Sequence, residues 1–158
     1  SYAINKHSKN LTKYLNDSRE KIEIIVSNCQ MDYKVSIIVP IFGVENFIER
    51  CARSLFEQTL EDIEFIFVDD CTKDNSIEIL TGLLSEYPNR RTHARILKHE
   101  HNKGLPQARK TGILEAKGRY IAHCDSDDWP DKTMYEKMYN KAIEGDFDIV
   151  SADYYLYL

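Results

Sequence analysis

From Val35 onward, short apolar runs alternate with segments of helical periodicity, and few folds are compatible with that alternation. Val35-Ser36-Ile37-Ile38-Val39 is a β-branched run stopped by Pro40 and reads as a strand. Residues 45–58 carry Phe47, Ile48, Cys51, Leu55 and Phe56 on one helical face. Residues 63–68 read as a second strand. Residues 75–86 read as a second helix, with Asp74 or Asn75 as its N-cap. A third strand is predicted over 94–98 and a third helix over 105–116, ended by Gly118. Residues 119–124, 131–144 and 148–152 complete the series as strand, helix and strand. The expected fold class is therefore α/β: a Rossmann-like, doubly wound, mainly parallel sheet with helices on both faces. Right-handed crossovers place the carboxyl ends of all parallel strands along one edge, where ligands of such sheets bind.

Residues 1–33 follow another pattern. They are rich in Lys, Asn and Ser, and Leu11, Tyr14, Leu15, Ile22, Ile25 and Val26 fall at partly helical spacing. They read as an N-terminal helical extension or linker, which leaves residues 34–158 as the domain.

Three acidic or polar clusters fall where predicted strands end. They are Pro40-Ile41-Phe42-Gly43-Val44-Glu45, Asp69-Asp70-Cys71-Thr72-Lys73-Asp74-Asn75-Ser76 and Asp125-Ser126-Asp127-Asp128-Trp129. Each has an ordinary explanation taken alone. Asp69-Asp70 suits a turn into a helix N-terminus, Phe42 suits a core, and the Asp125 cluster suits a solvated turn. Their convergence on one sheet edge favours a site. The crowded carboxylates of the last cluster repel one another unless water or a cation sits among them. A divalent cation bridges such carboxylates to phosphates. In the same crevice Asp70 can accept a hydrogen bond from a base N–H and Phe42 can offer a face for stacking. Arg109 can reach a phosphate or ribose, or else pair with a neighbour such as Glu115.

Composition narrows the alternatives. An apolar share of 42% and a charged share of 30% belong to a soluble globular chain. A net charge of -5 without a basic stripe argues against nucleic acid. No apolar run approaches the roughly 18 residues of a membrane span, and the polar first residues lack a secretory signal pattern. Cys29, Cys51, Cys71 and Cys124 form no Cys-x-x-Cys pair, against zinc and redox roles, and Cys124 reads as a buried free thiol. A reducing, cytoplasmic setting follows as an expectation. His93, His99, His101 and His123 share no ligand-type spacing apart from His99 and His101 flanking Glu100, which reads as solvated surface. No Gly-x-Gly-x-x-Gly follows a strand. The first strand ends in Pro40 rather than an acidic pair, and the third in Lys98-His99, against a receiver-type signalling domain.

Four ordered stretches carry a resemblance. They are the strand and turn Val35 to Gly43; Val68-Asp69-Asp70-Cys71-Thr72-Lys73-Asp74-Asn75-Ser76; Asn102-Lys103-Gly104-Leu105-Pro106-Gln107-Ala108-Arg109-Lys110-Thr111-Gly112; and Lys117-Gly118-Arg119-Tyr120-Ile121-Ala122-His123-Cys124-Asp125-Ser126-Asp127-Asp128. In these motifs the chain resembles the family 2 glycosyltransferases, which have the GT-A fold. The resemblance implies transfer of a sugar, with inversion, from a nucleoside diphosphate sugar such as a UDP-sugar to a glycan or lipid-linked acceptor hydroxyl. It implies donor contacts from Pro40, Phe42, Glu45, Asp70, Arg109 and Asp125, with Asp127 and Asp128 as ligands of a divalent cation, Mn²⁺ or Mg²⁺. Its catalytic base is expected outside these residues, since none of Asp146, Asp148 and Asp153 sits in a base motif, and the chain reads as the donor half without the acceptor half. Peripheral association with the inner face of a membrane and self-association are compatible with it. A nucleotide-sugar-binding module without turnover is the alternative. The chain departs from the family pattern at Phe42, which lacks a hydroxyl, at Gly43 and at Lys110. At Cys71, replacement of the usual Gly argues against a positive φ in that turn.

Overall fold

The computed structural model describes residues 2–6 and 33–153. Their elements in chain order are β1 (Tyr2–Lys6), β2 (Tyr33–Ile41), α1 (Ile48–Phe56), β3 (Ile63–Asp69), α2 (Ser76–Glu86), the single turn α3 (Pro88–Arg91), β4 (Ala94–Lys98), α4 (Leu105–Glu115), β5 (Gly118–His123), α5 (Met134–Glu144) and β6 (Ile149–Ala152). The six strands form one sheet in the order β4-β3-β2-β5-β1-β6. β4, β3, β2 and β5 run parallel to one another.

β2 and β3 form the floor because they are apolar almost throughout. In β3 every residue is buried, and in β2 all from Val35 to Ile41 are. Side chains alternate between the two faces. Val35, Ile37, Val39 and Ile41 join the larger core with α1, α2 and α5, including Ile48, Leu55, Leu80, Leu83 and Tyr135. Ile38, Ile66, Val68 and Ile121 face the other way, onto Ala108 of α4. Helices thus cover both faces, as the doubly wound expectation requires. Ser36 and Glu64 enter this interior as a pair. Ser36 Oγ donates to Glu64 Oε1 at 2.5 Å, and Arg95 meets Glu64 Oε2 at 3.1 Å.

α4 lies close to the sheet because Gly112 is buried in it. A Cβ placed there would run into the Ile38 side chain. At its start, Gly104 takes φ +83° and turns the chain from the β4 loop into the helix.

The sequence reading needs correction at the amino end. Tyr2–Lys6 is a strand, not part of a helix, and lies antiparallel to both β5 and β6. The sheet is therefore mixed. Ile4 pairs with Ala122 on one side and Val150 on the other, and its side chain is fully buried in the larger core. Two flanking strands supply the backbone partners that a five-residue segment cannot supply itself. The helical spacing read over Leu11 to Val26 lies outside the described residues. A smaller correction concerns Pro40, which does not stop β2: the strand runs on to Ile41.

Candidate functional site

Loops from β2, β3, β4 and β5 meet over the carboxyl edge of the parallel strands. They enclose a cleft of about 400 Å³, lined by Pro40, Ile41, Phe42, Val44, Asp70, Asn102, Gly104, Leu105, Ala108, Asp125, Ser126 and Asp127. The volume suits a small-molecule ligand. Pro40, Phe42, Asp70, Asp125 and Asp127, singled out from sequence, all stand on its wall. Glu45, Arg109 and Asp128 do not.

The loop after β2 is fastened to the loop after β3. Gly43 N donates to Thr72 Oγ1 at 2.9 Å and Val44 N to Ser76 Oγ at 3.3 Å. Glu45 N donates to Asp74 Oδ2 at 2.9 Å, and Asn75 N donates back to Glu45 Oε2 at 3.1 Å. Glu45 therefore joins two loops instead of facing the cleft. Asp74 Oδ1 accepts from Thr72 Oγ1 and from Ser76 N. Burial raises the Asp74 carboxyl, but the bonds from Ser76, Thr72 and Glu45 N outweigh it and bring it down to about 2.

Cys71 in this turn has φ +61°, so the turn does adopt the left-handed conformation that the Cys-for-Gly exchange seemed to disfavour. Asp69 Oδ1 accepts from Thr72 N at 2.8 Å and closes the turn.

Asp70 is buried, and its carboxylate is almost fully engaged. Oδ1 lies 2.7 Å from His99 Nδ1 and accepts from Lys103 N at 2.8 Å, while Oδ2 accepts from Gly104 N at 2.8 Å. Burial raises the Asp70 carboxyl, and these bonds more than offset it, holding it below the usual carboxylate range. His99 Nε2 lies 2.9 Å from Thr111 Oγ1. His99 is buried, contrary to its reading as solvated surface. It ties Asp70 to α4, and Asp70 in turn holds the Asn102-Lys103-Gly104 bend. Asn102 and Gly104 belong to the third motif quoted above, so a signal for that bend existed. Nothing in the spacing of His99 pointed to its partner.

On the opposite wall Arg109 Nη2 reaches Asp125 Oδ1 at 2.6 Å. The Arg109 partner is thus Asp125; the neighbouring Glu115 pairs instead with Arg95 at 3.3 Å. Arg109 Nε and His123 Nδ1 are buried without hydrogen-bond partners among the described residues. Burial and the nearby Arg109 hold the His123 imidazole low, against a smaller opposing pull from Asp125. Asp127 is exposed on the cleft wall and forms no ion pair among the described residues. Asp128 is exposed too, and its N–H donates to Asp125 O at 3.0 Å.

Among the described residues no three His, Cys, Asp or Glu side chains come together as a closed metal cage. A hard divalent cation that takes most of its oxygens from phosphate and water needs only one or two carboxylates. Asp127 fits that demand, being exposed, unpaired and on the wall. Asp125 has one oxygen committed to Arg109.

A sheet with helices on both faces, an antiparallel strand beside the parallel set and a ligand cleft at the carboxyl edge defines the GT-A class of fold. The same fold is present in the S. aureus protein TarS, solved in complex with UDP. The match has a TM-score of 0.62 at 27% identity and covers 70% of this chain and 32% of that one. The chain belongs to glycosyl transferase family 2, whose model matches residues 36–158. It is 44% identical to the uncharacterized glycosyltransferase EpsJ of Bacillus subtilis over 121 residues, which are 77% of this chain and 34% of EpsJ. It is 38% identical to the glycosyltransferase GlyG of Streptococcus pneumoniae over 127 residues, 80% of this chain and 41% of GlyG. The chain thus spans well under half the length of these relatives. No helix among the described residues is long and apolar enough to cross a membrane.

Proposed function

We propose that this chain forms the donor-binding half of a glycosyltransferase that takes a sugar from a nucleoside diphosphate sugar, a UDP-sugar in the first instance. The observation that carries the reading is the convergence of Phe42, Asp70, Asp125 and unpaired Asp127 on one cleft. Support for UDP comes from TarS, which was also solved with UDP-GlcNAc. In this reading Phe42, 54% exposed, offers its ring to the base, and Asp70 uses its remaining acceptor capacity toward a base N–H. Arg109 keeps Asp125 oriented toward the ribose or sugar. Glu45 acts through the loop that presents Phe42. Asp127, with Asp128 beside it, holds a divalent cation, Mn²⁺ or Mg²⁺. When bound, that cation supplies Lewis-acid stabilisation of the departing diphosphate.

Transfer proceeds with inversion by in-line attack of an acceptor hydroxyl on the anomeric carbon. The acceptor is a glycan or lipid-linked glycan. The base that deprotonates it belongs to the part of the longer relatives that this chain does not match. The nucleotide-sugar domain takes in the whole sheet, β1 included, and works in the cytoplasm or at the inner face of a membrane.

Calorimetric titration with UDP, GDP, ADP and CMP, each with Mn²⁺ and with EDTA, tests the reading. UDP binding that tightens with Mn²⁺ is expected. No nucleotide binding in either condition refutes it. Binding by the full-length gene product without sugar transfer or donor hydrolysis identifies a module without turnover.

A further inference from the structure

The segment between β5 and α5 carries Asp125, Asp127 and Trp129, and α1 with the turn after it holds it along its length. Cys51 Sγ faces Asp125 O at 3.8 Å. Past the acidic residues, Gln58 Nε2 donates to Asp131 O at 2.8 Å and Gln58 Oε1 accepts from Tyr135 N at 3.3 Å. Thr59 N donates to Lys132 O at 3.0 Å. Between these anchors lies Asp127, and two residues beyond it Trp129 meets Arg50 of α1. The Arg50 guanidinium carbon stands 3.3 Å from the Trp129 ring centroid. A planar guanidinium at that height is stacked on the indole face, the strongest of the aromatic partners for a cation. Arg50 is exposed and forms no ion pair among the described residues. Its stacking also brings a positive charge beside a run of carboxylates that otherwise repel one another.

We propose that Arg50 is a positioning residue for Asp127: by stacking on Trp129 it fixes the acidic segment in the orientation that receives a cation-bound diphosphate. The inference rests on the reading of Asp127 given under Proposed function.

Trp129 is the one tryptophan of the chain, so emission excited beyond the tyrosine absorption band reports on this segment. The experiment compares wild type, Arg50→Ala and Arg50→Lys by tryptophan emission and by UDP titration in Mn²⁺ and in EDTA. Arg50→Ala is expected to shift the emission to the red as the indole loses its cover. It should also weaken UDP binding in Mn²⁺ by about two- to fivefold, the range a partly exposed cation–π contact spans, while binding in EDTA is unchanged. Arg50→Lys keeps a cation without the planar stack and should fall between. Should Arg50→Ala fail to fold, Arg50→Lys carries the same comparison with a smaller effect. Wild-type emission or wild-type affinity in Arg50→Ala overturns the proposal. So does an equal loss in Mn²⁺ and EDTA, which would indicate general loosening. A wild type whose UDP binding ignores Mn²⁺ overturns the reading of Asp127 and this inference with it.

Discussion

Asp70 and His99 meet at 2.7 Å, both buried, at the junction of the β3 and β4 loops. Nδ1 faces Asp70, and Nε2 of the same ring lies 2.9 Å from the Thr111 hydroxyl. One ring therefore fixes the cleft's most enclosed carboxylate against α4. His99→Ala removes one of the three donors on Asp70 and leaves a buried charge short of a partner. A loss of about 1–3 kcal/mol in stability is expected from urea unfolding. Weaker UDP binding should accompany it, because the Asn102-Lys103-Gly104 bend hangs on the same carboxylate.

Asp127→Asn tests the proposed cation-bearing role directly. The side chain is exposed and unpaired among the described residues, so stability should change by less than about 0.5 kcal/mol. Calorimetry should show UDP binding in Mn²⁺ reduced to the level seen in EDTA. Full retention of the Mn²⁺ effect would remove Asp127 from the site.

Asp74 gives a pH signature with a definite sign. Its folded-state carboxyl lies at about 2, below the ordinary 3.8. A depressed carboxyl contributes stability that is present above the unfolded value and lost as pH falls through the folded one. Wild type should therefore exceed Asp74→Asn in stability most at neutral pH. The gap should shrink from about pH 4 downward and close near pH 2. Urea unfolding at a series of pH values reads this out, and a gap independent of pH would contradict it.

Cys71 occupies a left-handed conformation at φ +61°. That conformation costs a side-chain-bearing residue about 1–2 kcal/mol, and glycine adopts it freely at some entropic cost in the unfolded chain. Cys71→Gly should raise stability by about 0.5–1 kcal/mol, measured by thermal unfolding. A loss of stability would show that the thiol contact with Glu100 O at 3.7 Å outweighs the strain.

The inner strands and the helix order were legible because unbroken β-branched runs and helical spacing are local signals. The cleft walls were legible for a related reason: strand ends can be read along the chain, and a parallel sheet gathers them at one edge. The contacts within the walls were not. Glu45 looked like a cleft residue because it follows the first strand, yet its carboxylate accepts from Asn75 N, thirty residues on. His99 looked solvated because its partners, Asp70 and Thr111, are distant in sequence. Tyr2–Lys6 lacked any strand signal of its own, since one buried Ile4 among mixed neighbours makes no pattern. Its conformation is imposed by β5 and β6.

That last strand carries a consequence for how the molecule is assembled. Tyr2–Lys6 is wedged between two partners that lie more than a hundred residues further along the chain, and pairings of such long sequence separation form slowly. This segment is thus expected to lock late, and in doing so it joins β5 to β6 within one sheet.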